Sequence, residues 1–228
     1  MLTPPLQIKR RTILLGIGIA IASFMCALYS TSILRYAGIE RISDESSLII
    51  SRLLFWLGLL ILYAYLRNIE HQKLLLWQPL KISLTFYLLS FFLMILCIFA
   101  VAIILKKIET FYGASDNSAK LKILLQIFRN NTPLFIFTVF TAAVIEELFF
   151  RGYLIPRLQL FFKNAYLPII ISSTLFGLAH FGYNNIPQMI NTGFIGLIMA
   201  IHFSKYRNIY ILMAVHFAID IVGVYTAP

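Results

Sequence analysis

Ala143-Val144-Ile145-Glu146-Glu147-Leu148-Phe149-Phe150-Arg151-Gly152-Tyr153-Leu154 sets two adjacent carboxylates and an arginine inside a run otherwise apolar enough to cross a membrane. An ionisable side chain at bilayer depth costs about 2.5–3.5 kcal/mol on insertion scales, so such groups persist only where they pair, face a wet cavity or do chemistry. Glu147 and Arg151 stand four apart with the acid N-terminal, the favourable order for an ion pair on one helical face. Glu146 lies about 100° further round the helix and has no local partner. The spacing therefore assigns Glu147 and Arg151 to structure and leaves Glu146 free to act on something else.

The composition around this stretch fixes the class of protein. Sixty per cent of the 228 residues are hydrophobic and 12% are charged, with a mean hydropathy of +0.86, far outside the range of soluble globular domains. The reading is all-α: a polytopic membrane helix bundle of about seven spans, in one membrane-embedded domain. Its parts are an N-terminal set of helices and a connector over residues 1–132, then a four-helix catalytic core over 133–228. The net charge of +10 does not point to nucleic acid, because the Lys and Arg sit in short segments beside apolar runs, as orientation signals do. Cys26 and Cys97 lie inside apolar runs without CxxC spacing and are read as packing residues.

Spans are expected over residues 13–34, 48–66 and 82–105, then from Pro133 past Arg151, and over 167–181, 186–203 and 209–226. The first is longer than a signal-peptide core and lacks a small-residue cleavage site, so it is read as a span. Residues 67–81, with Trp77 and Pro79, form an interfacial connection. The apolar and basic run 121–129 reads as an amphipathic surface helix. A cytoplasmic N-terminus places eleven basic residues on that side: Lys9, Arg10, Arg11, Arg67, Lys73, Lys81, Arg151, Arg157, Lys163, Lys205 and Arg207. The other side receives seven, Arg35, Arg41, Lys106, Lys107, Lys120, Lys122 and Arg129, so the bias favours that orientation. Neither a fixed-period repeat nor an inverted pair of interrupted spans is present, which argues against a secondary transporter.

Two further apolar segments carry ionisable groups. Phe176 and His180 form one i, i+4 pair and His216 and Asp220 another, each on a single helical face. With Glu146, Glu147 and Arg151 they concentrate the chemistry in the C-terminal part of the chain. Depth sets a condition on their meeting. At about 1.5 Å per residue, Glu146 and His180 each lie about 20 Å along antiparallel helices and miss by about 10 Å in a core about 30 Å thick. They meet if the Glu146 helix is long, tilted and extends well past Arg151, or if the fifth span begins deeper.

The trio Glu146-Glu147-x-x-x-Arg151, Phe176-x-x-x-His180 and His216-x-x-x-Asp220, in this order on separate apolar segments, resembles the CPBP family of intramembrane proteases, which includes the CaaX prenyl endopeptidases and the bacterial Abi-type proteins. The resemblance covers about residues 135–225. It implies that Glu146 deprotonates a water for attack on a peptide carbonyl, that His180 binds and orients this water, and that His216 and the residue four after it stabilise the oxyanion. The last position is commonly Asn in eukaryotic members and is Asp220 here. An ionised Asp only accepts hydrogen bonds, so Asp220 is expected to orient His216 and leave the histidine as donor. The implied substrate is a membrane-embedded or lipidated protein or peptide, and the implied location a multi-pass site in the bilayer, a cytoplasmic membrane in bacterial members. No cofactor is required by this reading. Zinc held by Glu146, His180 and His216 is the alternative left open, since two histidines and a carboxylate make an open catalytic site, although no HExxH sequence brings two ligands onto one helix.

Blander readings accompany these. Phe176 more often packs than acts, His202 and His71 read as interfacial, and Asn184, Asn185, Gln188 and Asn191 either line a cavity mouth or cap the sixth span. Two other functions stay open beside the endopeptidase: a non-catalytic member acting as a membrane interaction or bacteriocin-immunity protein, and a transporter or haem-binding bundle using His180 and His216.

Overall fold

The computed structural model describes residues 8–39, 42–111, 119–162, 164–183 and 185–226. Arg41, Lys163, Asn184 and the side chain of Lys120, all named above, lie outside the described residues. The chain divides into two compact units, residues 1–76 and 77–228. Among the described residues every regular element is helical.

The first unit is a helical hairpin. Its first helix, α1 (Arg10–Leu28), breaks at Tyr29, and a short α2 (Ser30–Tyr36) follows, so the predicted span 13–34 is two helices. The hydroxyl of Ser43 caps the start of α3 (Asp44–Tyr65) by accepting from the Ser46 N–H at 3.2 Å, and Asp44 and Glu45 in the first turn complement the helix dipole. A π-helical turn, Leu66–Glu70, ends it. The hairpin is antiparallel. Ser51 Oγ donates to the Ala27 carbonyl at 2.9 Å and Tyr65 Oη to the Thr12 carbonyl at 2.6 Å. Between these tethers Gly58 lets the helices approach, since a Cβ there would stand 2.9 Å from that of Ser23.

The second unit holds α4 (Leu84–Phe111), α5 (Ala119–Asn130), α6 (Thr132–Glu147), α7 (Ile155–Phe161), α8 (Tyr166–Ala179), α9 (Ile186–Tyr206) and α10 (Ile209–Thr226). Ser90, Met94 and Ile98 form the buried stripe of α4, which packs on α9 and α10, with Phe86 edge-on to Tyr206 at 4.7 Å. The rest of α4 exposes Leu and Phe, as a lipid-facing helix does. The predicted surface helix is α5. It buries Leu125 and Phe128, the latter against Phe135, and Arg129 Nη2 donates at 3.3 Å to the Val224 carbonyl near the end of α10. Trp77 stacks on Phe203 at 5.6 Å and receives the Arg207 guanidinium at 5.3 Å, fastening the start of this unit to the core of Ile155, Ile169 and Ala200.

Among the described residues six helices, one of them the continuous run Thr132–Phe161, are long and apolar enough to cross a membrane, and the expected fifth span is a shorter apolar helix, Tyr166–Gly182. One condition for the motifs to meet is present: the Glu146 helix is long, its 30 residues reaching about 45 Å and continuing past Arg151 to Phe161. Two expectations are corrected. Cys26 and Cys97 are exposed on the outer faces of α1 and α4, not packed. Arg151 and Arg157 are fully buried, so they report nothing about orientation and the charge bias shrinks to nine against seven. Arg157 stacks its guanidinium over the Tyr153 ring at 4.0 Å, where the delocalised cation is weakly enough hydrated to leave water.

The contact between α8 and α9 rests on glycine. A Cβ at Gly177 would stand 2.9 Å from the Met189 carbonyl oxygen and 3.1 Å from Gly193 Cα, both backbone atoms that cannot turn aside. Gly177→Ala is expected to destabilise the protein by about 1–3 kcal/mol, the usual range for overpacking, measured as a lowered thermal midpoint in detergent.

Candidate active site

The Glu146 helix is built to change pitch beside the acids. Asn131 Oδ1 accepts from the Leu134 N–H at 3.1 Å, and Pro133 occupies the first turn, where a missing N–H costs nothing. The α-helix runs to Glu147, then widens into a π-helical stretch, Leu148–Leu154, before α7 resumes with Pro156 in its first turn. The cause is local. A proline cannot donate to the carbonyl four residues back and its ring clashes with it, so the turn ahead of Pro156 has to open. Ser172 Oγ on α8 donates to the Phe150 carbonyl at 3.0 Å within this widened stretch.

Glu147 is the hub of the resulting constellation. Its Oε1 accepts from Arg151 Nη1 at 2.7 Å and also takes the hydrogen bond of His216 Nδ1 at 2.8 Å. The ion pair expected from the i, i+4 spacing is therefore present, fully buried, and it has a third member. A carboxylate paired with Arg accepts, so the bond puts the proton on His216 Nδ1 and turns Nε2 toward two other acids: Glu146 Oε2 at 4.0 Å and Asp220 Oδ2 at 3.6 Å. The hydrogen bond that orients His216 comes from Glu147, because the ring presents Nδ1 to α6, while Asp220 stands at ion-pair distance from Nε2. Glu146 is 8% exposed and its Oε2 has no hydrogen-bond partner among the described residues.

Phe176 connects the remaining residues. Its buried ring lies 4.3 Å below the Arg151 guanidinium, with the rings of His180 at 5.2 Å and His216 at 5.9 Å. His180, the residue on which α8 ends, turns Nδ1 to the Phe176 carbonyl at 2.9 Å, which makes Nδ1 the donor. All seven residues singled out in the sequence thus belong to one connected cluster. Exposure rises from His216 to Asp220, whose side chain is 35% accessible, so the cluster is open toward the C-terminal end of α10, the end against which α5 packs. Asn185 caps α9, its Oδ1 accepting from the Gln188 N–H at 2.9 Å.

The sequence reading missed one contributor, Gly196. Its carbonyl accepts from Arg151 Nη2 at 3.1 Å, and the signal was the pair Gly193 and Gly196 inside an apolar span, where glycine is costly unless a neighbour comes close. Among the described residues no group of His, Cys, Asp and Glu forms a cluster able to hold a metal ion.

Residues 128–222, which include the whole cluster, match the family model described as type II CAAX prenyl endopeptidase Rce1-like. Over this segment the chain is similar to the Rce1-like family. No match was found among curated proteins or among solved structures. The Rce1-like family is a protease family, and in this chain its segment runs from the last turns of α5 almost to the end of α10. The six long apolar helices agree with a multi-pass integral membrane protein, within which the Rce1-like segment carries the buried acids.

Proposed function

We propose that the chain is an intramembrane endopeptidase that hydrolyses a peptide bond in a lipid-modified, membrane-associated protein or peptide, with Glu146 as general base. Glu146 takes a proton from water, the hydroxide adds to the scissile carbonyl, and the proton is returned to the leaving nitrogen as the C–N bond breaks. His180 orients the water. His216 donates from Nε2 to the oxyanion, a state that needs protons on both ring nitrogens, since Nδ1 is kept by Glu147. Asp220, close to Nε2 and partly open, balances that charge. The observation that carries the reading is Glu146: a carboxylate buried among apolar side chains, with one oxygen unpartnered among the described residues and 4.0 Å from the nitrogen of His216. A buried acid without that partner is expensive to keep unless it is used.

New peptide termini in membranes holding the wild type, compared with membranes holding Glu146→Gln at matched levels, test this. Termini present only with the wild type support proteolysis and name the substrate. Identical sets in a host that makes lipid-modified proteins count against it and favour a non-catalytic interaction role. Asp220→Asn is expected to change the cleavage rate by less than about tenfold, because Asn preserves the shape and an acceptor oxygen at a position already 3.6 Å from Nε2. Initial rates on the substrate so identified provide the check.

A further inference from the structure

We infer that Gly196 is a positioning residue: its bare backbone is the surface that holds Phe176 and Arg151 in place and, through them, aims His216. The inference rests on the endopeptidase reading for its kinetic consequence and on packing for everything else. Gly196 is buried on α9 and does three things at once. Its carbonyl accepts from Arg151 Nη2 at 3.1 Å, and its missing side chain leaves room for both the Phe176 ring and the guanidinium above it. A Cβ at this position would stand 3.0 Å from Phe176 Cδ1 and 3.3 Å from Arg151 Nη2.

The ring cannot give way cheaply. Phe150 lies edge-on to it at 5.1 Å, and His180 and His216 take up other sides at 5.2 and 5.9 Å. A displacement of a few tenths of an ångström is therefore passed to the two histidines directly, and to His216 a second time through Arg151 and Glu147. Reacting groups misplaced by about 1 Å lose about a hundredfold in rate, so a fraction of that shift predicts about a tenfold loss.

Neighbouring glycines provide the contrast. Gly193, one turn earlier on the same helix, would place a Cβ 3.8 Å from the Ser173 carbonyl oxygen and 3.9 Å from Gly177 Cα, ordinary contact distances with no site residue among them. Gly177 meets only backbone of α9. Of these three, Gly196 alone touches the supports of the cluster.

The experiment compares Gly196→Ala with Gly193→Ala in the full chain in detergent, reading kcat, KM, thermal midpoint and the ring-nitrogen NMR resonances of His216. Gly196→Ala is expected to lower kcat about tenfold with KM within about twofold, and to move the His216 resonances, while Gly193→Ala leaves all of these at wild-type values. In a Phe176→Leu background, which removes the ring edge that the new methyl meets, Gly196→Ala is expected to cost less than about twofold. This second variant decides the matter if Gly196→Ala alone folds poorly. Wild-type kcat and unmoved resonances in Gly196→Ala, or equal losses at both glycines, would overturn the inference. A wild type with no peptidase activity would remove the proposed function instead, and the His216 resonances would still decide the role of Gly196.

Discussion

Glu146→Gln is expected to lower turnover by about 10³–10⁴-fold in purified protein without lowering its thermal midpoint. The amide is isosteric with the acid but does not take a proton from water, and general-base catalysis by a positioned side chain is worth about 10²–10⁴. The upper part of that range applies here because the apolar surroundings offer no substitute base at the same place. Glu147 is held by Arg151 and His216, and Asp220 stands one turn away and partly exposed. Stability should not suffer. Glu146 Oε2 makes no hydrogen bond among the described residues and stands 4.0 Å from His216 Nε2, so the amide breaks no hydrogen bond of that oxygen and gives up only this longer contact. Single-turnover kinetics beside thermal unfolding in detergent separate the two effects. Retained turnover would remove Glu146 from the mechanism, and a large fall in midpoint would reassign it to structure.

Glu147→Ala acts on the opposite ledger. It leaves a fully buried guanidinium with the Gly196 carbonyl and the rings of Phe176 and Phe150 but no carboxylate bound to it, and leaves His216 Nδ1 without its acceptor. Removing one partner of a buried pair costs about 3–5 kcal/mol, enough to lower the thermal midpoint by about 10 °C in a chain of this size. Activity is expected to be lost as well. Glu147→Leu with Arg151→Met distinguishes the two consequences, because replacing both charges by apolar side chains restores most of the stability while His216 still lacks the hydrogen bond that orients it. A double variant that is stable and inactive would show that Glu147 serves the histidine as well as the arginine. One that recovered both properties would confine Glu147 to structure.

The helical class, the long apolar spans and the cluster residues were legible in the sequence because each depends on local pattern. Hydropathy over about 20 residues marks a span, and i, i+4 spacing put Glu147 with Arg151, Phe176 with His180 and His216 with Asp220 on shared faces. The Glu147–Arg151 pair could be read directly, since both partners lie on one helix. What spacing does not encode is which face of one helix meets which face of another. That His216 Nδ1 meets Glu147, 69 residues away, while Nε2 faces Asp220 on its own helix, is therefore set by packing between helices.

The same limit explains the other revisions. Arg157 has the look of a loop cation, and only packing placed its guanidinium over Tyr153 with no exposure. The fifth span, expected over 167–181, ends as an α-helix at Ala179, and a 3₁₀ turn carries His180. Gly196 reads as a mild helix weakener, and its use appears only when Phe176 and Arg151 arrive from α8 and the π-helical stretch. By itself the sequence determined that this is an all-helical membrane protein with acids and histidines kept inside apolar helices, because burying charge is too costly to occur by chance. Only the tertiary structure decided which of those groups meet, His216 with Glu147 and Arg151 with the Gly196 carbonyl among them, because hydrogen-bond partnership depends on distances between helices that no local pattern records.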